Sequence, residues 1–349
     1  MSSATEAGFY QSAPDEQVRR LAGLAGAALT EWGLSDAGLS SVAYRENMTF
    51  KVDAGSRGVF ALRVHQGNYR TDAQIQSELD LMNYLDGQGI RTPRVVPTRS
   101  GALFTTVAAD GVAEPRQCDL FEWIDGRLLR MTGQPIPGDL GPLAEAYAEV
   151  GRLAGRIYNA TEAWEKPQGF TRPAWDAEGI FGVNGNIGDF RKLQDIPDEQ
   201  RRLLVDVSEK LTEMLEVFGE GSDRYGLSHG DFLAENIFVC EDGIRLVDFD
   251  DAGDSWHMLD IATAVFDLLD TPAFEPCLGA FVSGYREHRE LPDSHLEMLN
   301  AFVLARLLSY LGWCAKKTHM PQTAVIKPLL LNAFEQHARG FLSQRSGIS

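Results

Sequence analysis

Apolar, β-branched and aromatic positions gather in three consecutive strand-like runs early in the chain, LSSVAY, TFKVDA and VFALRVH, separated by the polar RENM and by the turn-forming GSRG. Short runs of this composition bounded by turn residues predict three antiparallel strands from Leu39 onward. Upstream, Val18, Leu21, Leu24, Ala25, Ala28 and Leu29 recur at helical spacing, which predicts a helix over 15–32 with Pro14 and Asp15 at its start. Downstream, Ile75, Leu79, Met82 and Leu85 share one face of a helix over 73–85, which Gly87 and Gly89 end. Further short strands are expected at 94–97, 103–107 and 118–123. Beyond Asp125 helical spacing takes over, at 140–160, 198–218, 258–269, 274–288, 294–316 and 325–342. One β-rich interruption, 227–251, breaks that series with IFVC and IRLVDF around the turn EDG.

A chain of 349 residues exceeds the size at which a single core stops growing. The expected class is therefore α+β in two lobes: 1–124, an antiparallel sheet with a helix, and 125–349, larger and mainly helical. A formal net charge of −18 repels phosphate-rich polymers, so nucleic acid is excluded as a partner, whereas a cationic small molecule gains from the same field. The acidic surface also serves solubility. Cys118, Cys240, Cys277 and Cys314 are far apart and form no CxxC pair, which fits free thiols in a reducing compartment. The leader MSSATEAGFYQSAPDEQ lacks a basic-then-apolar signal, and no run is expected to reach bilayer-spanning length. The expectation is a cytoplasmic protein with no membrane partner, a monomer or homodimer.

The polar residues that need explaining cluster in the interruption. SHGDFLAENIFV places His229, Asp231 and Asn236 at H-x-D-x4-N spacing, and Asp248 closes the next strand. Phosphoryl transfer needs a carboxylate that orients and deprotonates an attacking hydroxyl, and oxygen ligands that hold Mg2+ against the phosphates of ATP. Asp231 suits the first task, Asn236 and Asp248 the second; the plain alternative is a polar loop with capping Asp and Asn. HGDFLAEN and DFDDAG resemble the aminoglycoside phosphotransferase and choline kinase superfamily, which has a protein-kinase-like two-lobed fold and reads HGD where protein kinases read HRD. The resemblance implies that Asp231 is the catalytic base, that Asn236 and Asp248 bind Mg2+, and that ATP is the donor. It also implies that Asp260, in SWHMLDIATAVF, braces the catalytic loop, although a first-turn acid complementing the helix dipole reads the same way.

In the first lobe, a kinase places a cation on the third strand and an acid on the following helix to hold it. Arg63 and Glu78 occupy those places, with a surface salt bridge as the alternative. YRENMTF stands where a nucleotide-covering loop would, without its glycines, and resemblance assigns Asn47 and Thr49 to the phosphate side. LFEWIDGRLL resembles the inter-lobe linker, so the main chain of Glu122 and Ile124 is expected at the adenine edge, with Trp123 read as core. His229 is read as holding the loop. Asp250 is a candidate for a second Mg2+ or for a substrate amine.

VFALRVHQGNYRTDAQIQSELDLMNYL resembles the branch containing type II homoserine kinases, hydroxylysine kinase and a bacterial stress-response kinase. The expected activity is an ATP- and Mg2+-dependent transfer of phosphate to a hydroxyl of a small amine-bearing metabolite, homoserine-, hydroxylysine-, choline- or aminoglycoside-like. Alternatives are a protein Ser/Thr kinase, weakened by the lack of an APE-ended activation segment, and a nucleotide-binding pseudokinase. A metal-dependent hydrolase built on HGD would need clustered His and Asp ligands.

Overall fold

A computed structural model describes residues 8–318 and 320–343 and divides into two compact units. One comprises Met1–Arg127, Lys166–Thr171 and Phe238–Asp250; the other comprises Leu128–Glu165, Arg172–Ile237 and Asp251–Ser349. Expected as a division at 124, the boundary is discontinuous, because the first unit takes back two later segments.

In the first unit α1 (Pro14–Ala28) continues as a 3-10 turn, Leu29–Trp32. It is followed by β1 (Gly38–Tyr44), β2 (Met48–Asp53), β3 (Val59–Val64), α2 (Asp72–Gly87), β4 (Phe104–Val107), β5 (Arg116–Glu122) and the short β6 (Arg127–Leu128). Strands β1 to β5 form one antiparallel sheet in the order β1-β2-β3-β5-β4, and α1 packs on it. Its face buries Leu21, Leu24, Ala25 and Ala28 with Phe50, Val52, Leu62 and Leu120. The predicted strand at 94–97 shrinks to a single bridge between Val95 and Phe121, because Pro93 and Pro97 lack the N–H groups a ladder needs. Helix α2 begins at a capping box: Thr71 accepts from the Gln74 N–H at 3.2 Å and its own N–H donates to the Gln74 side chain at 3.0 Å. That start sets the helical phase that turns Glu78 inward.

The chain continues as α3 (Gly141–Glu162), α4 (Ala177–Phe181), α5 (Asp198–Phe218), β7 (Tyr225–Ser228), β8 (Ile237–Cys240), β9 (Gly243–Leu246) and β10 (Gly253–Trp256). It ends with α6 (His257–Ala264), α7 (Phe274–Arg286), α8 (Asp293–Leu296), α9 (Leu299–Lys316) and α10 (Pro321–Ser343). β8 and β9 form the hairpin read as IFVC and IRLVDF, and β10, which periodicity did not predict, pairs antiparallel with β7. The expected helix 258–269 stops at Ala264, and 294–316 is broken into α8 and α9.

Helix α9 organises the helical unit and touches α5, α6 and α10. Packed on several sides, it keeps no continuous polar face. For that reason Asp293–Lys316 does reach bilayer-spanning length, contrary to expectation, with a mean hydropathy of 1.4, but 72% of the apolar window is buried inside the protein.

Helices α3 and α7 approach closely through glycines. A β-carbon at Gly151 would lie 2.0 Å from the Phe281 carbonyl oxygen, and one at Gly284 would lie 2.0 Å from that of Ala148. Gly151→Val is expected to destabilise the protein by about 2 kcal/mol through overpacking. Gly279→Ala, on α7 where a β-carbon meets open space, should be neutral or stabilising. Denaturant midpoints of the two variants check this, and a wild-type midpoint for Gly151→Val would refute the close approach.

Candidate active site

In the helical unit the loop after β7 is built around one carboxylate. Asp260, in the first turn of α6 and 1% exposed, accepts the backbone N–H groups of His229 and Gly230, each at 3.0 Å, and the Tyr158 hydroxyl at 2.9 Å. Burial drives its pKa up; the three donors oppose the rise, and the net value is about 6. Gly230 sits at φ +82, and a β-carbon there would lie 2.3 Å from the Asp251 carbonyl oxygen. Both facts require glycine at the centre of HGD. His229, fully buried, packs edge-on against Phe232 at 5.6 Å and accepts the Asp231 N–H on Nδ1 at 3.3 Å, a loop-holding placement.

Asp231 projects from this loop with 23% of its side chain exposed. Asn236 donates its Nδ2 to the Asp231 carbonyl and to Oδ2, both at 2.9 Å. Two acceptors fix the amide orientation, and among the described residues its Oδ1 has no hydrogen-bond partner, which leaves an oxygen suited to a hard cation. The other carboxylate oxygen, Oδ1, accepts from Arg306 Nη2 and lies 3.4 Å from the Tyr310 hydroxyl.

Sequence reading missed Arg306 and Tyr310. They stand one turn apart on α9, far from HGD in the chain, and share a face. The legible signal was a lone arginine inside FVLARLLSYLGW, since a charge in a buried helix demands a partner. Burial pulls the Arg306 pKa down, but Tyr310, Asp231 and Asp251 outweigh it and raise it.

In the first unit Arg63 and Glu78 do meet, with Nη1 donating to Oε1 at 2.8 Å. The pair is buried, so the surface salt bridge is ruled out. A second acid is also present: Asp119 on β5 takes Arg63 Nε at 3.1 Å and Nη2 at 2.7 Å, and His65 Nε2 lies 2.9 Å from the same carboxylate. Burial pushes Asp119 up, but Arg63 and His65 outweigh it and hold the carboxyl well below its usual range. An aspartate amid the apolar residues of CDLF was the signal for it.

Other expected residues of this unit have different settings. Asn47 accepts the Gln66 N–H on its side-chain oxygen at 3.0 Å, which ties the β2 hairpin to the end of β3 and leaves its Nδ2, the only side-chain donor, as the atom that could face a phosphate. Thr49 lies opposite Arg63 in the β2–β3 register. The Glu122 N–H donates to the Arg94 carbonyl at 2.9 Å and is thereby removed from the adenine edge. The main-chain N–H and C=O of Ile124 have no hydrogen-bond partner among the described residues, so the open edge falls there. Trp123 is half-exposed rather than core, with Lys51 Nζ 4.7 Å from its ring. Asp250 is buried and engaged by Arg70, whose Nε lies 3.2 Å from Oδ1 and whose Nη2 donates to its carbonyl at 2.7 Å. It is therefore a tether rather than an open ligand. Asp248 is exposed at φ +64, a backbone region that few side chains adopt.

Among the described residues, no group of three or more His, Cys, Asp or Glu side chains has the spacing of a metal site. The family model described as "Phosphotransferase enzyme family" matches residues 43–295. The chain belongs to that family. This phosphotransferase is similar to a solved microcompartment-associated aminopropanol kinase, with 31% identity, TM-score 0.80, and coverage of 92% of this chain and 98% of the other. An amicoumacin kinase solved with AMP-PNP, Ca2+ and Ami shares the fold at 20% identity and TM-score 0.71, with 96% of each chain covered. A homoserine kinase of Burkholderia lata is 27% identical over 238 residues, 64% of this chain and 61% of its own. The two-lobed kinase-like fold and the branch expected from the motifs agree with these likenesses.

A carboxyl raised to about 6 binds its proton more tightly in the folded phosphotransferase than in the unfolded chain. Ionised Asp260 therefore weakens the fold above pH 6, and the deficit is relieved as pH falls. Relative to Asp260→Asn, the wild type should gain about 1 kcal/mol of stability between pH 7 and pH 5. Denaturant curves of both proteins at each pH decide it; parallel pH dependences would contradict the shift.

Proposed function

We propose that this phosphotransferase moves the γ-phosphoryl group of ATP, with Mg2+, to the hydroxyl of a small amino alcohol. The observation that carries the reading is Asp231: a carboxylate left partly open to solvent while hydrogen bonds from Asn236, Arg306 and Tyr310 define its direction. A general base needs that combination of access and orientation. In the transfer, the acceptor O–H bond breaks and its proton goes to Asp231; an O–P bond forms and the bond to the departing ADP oxygen breaks.

Asn236, with its free amide oxygen, and Asp248, held at φ +64, are the oxygen ligands proposed for Mg2+, which would neutralise charge on the phosphates. Arg63, with Glu78 and Asp119 behind it, is proposed for the phosphate side and the open main chain of Ile124 for adenine. Two facts favour an amine-bearing acceptor: a net charge of −18, which concentrates cations, and the 31% likeness to an aminopropanol kinase.

A coupled ADP-release assay over aminopropanols, ethanolamine, choline, homoserine, hydroxylysine, an aminoglycoside and a generic protein substrate tests this reading. An amino alcohol should give the highest kcat/KM, and Asp231→Ala should lower kcat by about 10³-fold. Asn236→Ala should raise the Mg2+ concentration needed for half-maximal rate. Absence of any Asp231-dependent turnover, together with no Mg–nucleotide thermal shift, would sink the proposal; preference for the protein substrate would replace its acceptor class.

A further inference from the structure

Arg306 is 1% exposed at the centre of α9, among the most deeply buried large side chains of the described protein. Its Nη2 donates to Asp231 Oδ1, while its Nε and Nη1 have no hydrogen-bond partner among the described residues. The guanidinium lies 4.4 Å from the Tyr310 ring and 6.0 Å from that of Trp175. Two unmet donors on a buried cation are costly, and apolar residues commonly replace buried ion pairs with no loss of stability. Folding alone therefore does not account for an arginine here.

What the arginine does account for is the carboxylate it touches. Asp231 Oδ2 is fixed by Asn236 at 2.9 Å. Held at Oδ2 alone, the carboxylate could still swing about its Cβ–Cγ bond, and on the Oδ1 side the Tyr310 hydroxyl at 3.4 Å is a weak restraint. An ionised donor gives a stronger and more directional bond than the 3.4 Å hydroxyl contact. Resting on the kinase reading above, we propose that Arg306 is a positioning residue for the transfer step. It locks the direction of the Asp231 carboxylate against Asn236 and keeps a positive charge beside the base. The rings of Tyr310 and Trp175 in turn hold the guanidinium plane, so the base is oriented from α9 as well as from its own loop.

The experiment compares Arg306→Met and Arg306→Lys with the wild type, using the acceptor found in the screen at saturating Mg–ATP. Arg306→Met should lower kcat about 100-fold and leave the KM for ATP within twofold, and Arg306→Lys should recover at least a tenth of the wild-type kcat, since it restores the charge without the planar fork. A lost pocket or a loosened fold would not be rescued by lysine, so equal losses in the two variants overturn the proposal, as does a kcat within threefold of wild type for Arg306→Met. A second arm needs no turnover: in a crystal structure of Arg306→Met the Asp231 carboxylate should rotate away from its wild-type direction, and an unmoved Asp231 refutes the role. If the wild type phosphorylates nothing, the kinase reading fails on its own and the structural arm still decides the positioning of Asp231.

Discussion

The geometry of the HGD loop depends on a single buried carboxylate accepting two consecutive backbone N–H groups. Asp260 fixes His229 and Gly230 from beneath, and Tyr158 takes up part of its remaining capacity. A loop carrying consecutive unpaired N–H groups would otherwise need water or an anion at its base. With Asp260 in place the backbone is set before any ligand arrives, and Asp231 leaves the loop in one direction. The helix that carries Asp260 is buried throughout, so the brace is anchored in the interior of its unit. Because burial lifts this carboxyl to about 6, rigidity is obtained at some expense of stability, a common compromise where a site must be rigid.

Much of this was legible from local pattern. Strands β1 to β3 follow from short apolar and β-branched runs set between turn residues, with strict alternation in β2 only, and α5 matches its predicted bounds because its ends are marked by Pro197 and Gly219. H-x-D-x4-N announces Asp231 and Asn236 because the two must lie on one short loop. Residues that act across long sequence separations were not legible in that way. Arg306 and Asp119 come from a distant helix and a distant strand, and only the anomaly of a charge in an apolar run pointed to them. Asn47 and Glu122 show a different limit: sequence names a residue type suited to a ligand but not which of its atoms an internal partner already holds, here the Asn47 side-chain oxygen and the Glu122 N–H.

Arg63 shows how a departure from the usual lysine is accommodated. A lysine offers one compact charge, whereas the guanidinium fork spreads three donors over Glu78 and Asp119 together. His65 Nε2 lies 2.9 Å from the same Asp119 carboxylate, so Asp119 is engaged from two sides. An exchange of Arg63 for lysine is thus not conservative, since one of the two carboxylates would remain buried without its partner.

Gly230 has a further consequence for control. Its backbone conformation and the Asp251 carbonyl 2.3 Å from where a β-carbon would stand exclude every side chain from the middle position of HGD. In protein kinases that position carries the arginine of HRD, and arginines that read a phosphorylated segment are one means by which such enzymes are switched on. Here that means of activation is sterically closed: no arginine fits at this position to receive a phosphate, and the loop is held instead by Asp260 beneath it and by His229 and Asn236 within it. A phosphate-reading side chain, were one to act on this loop, would have to come from a position other than 230.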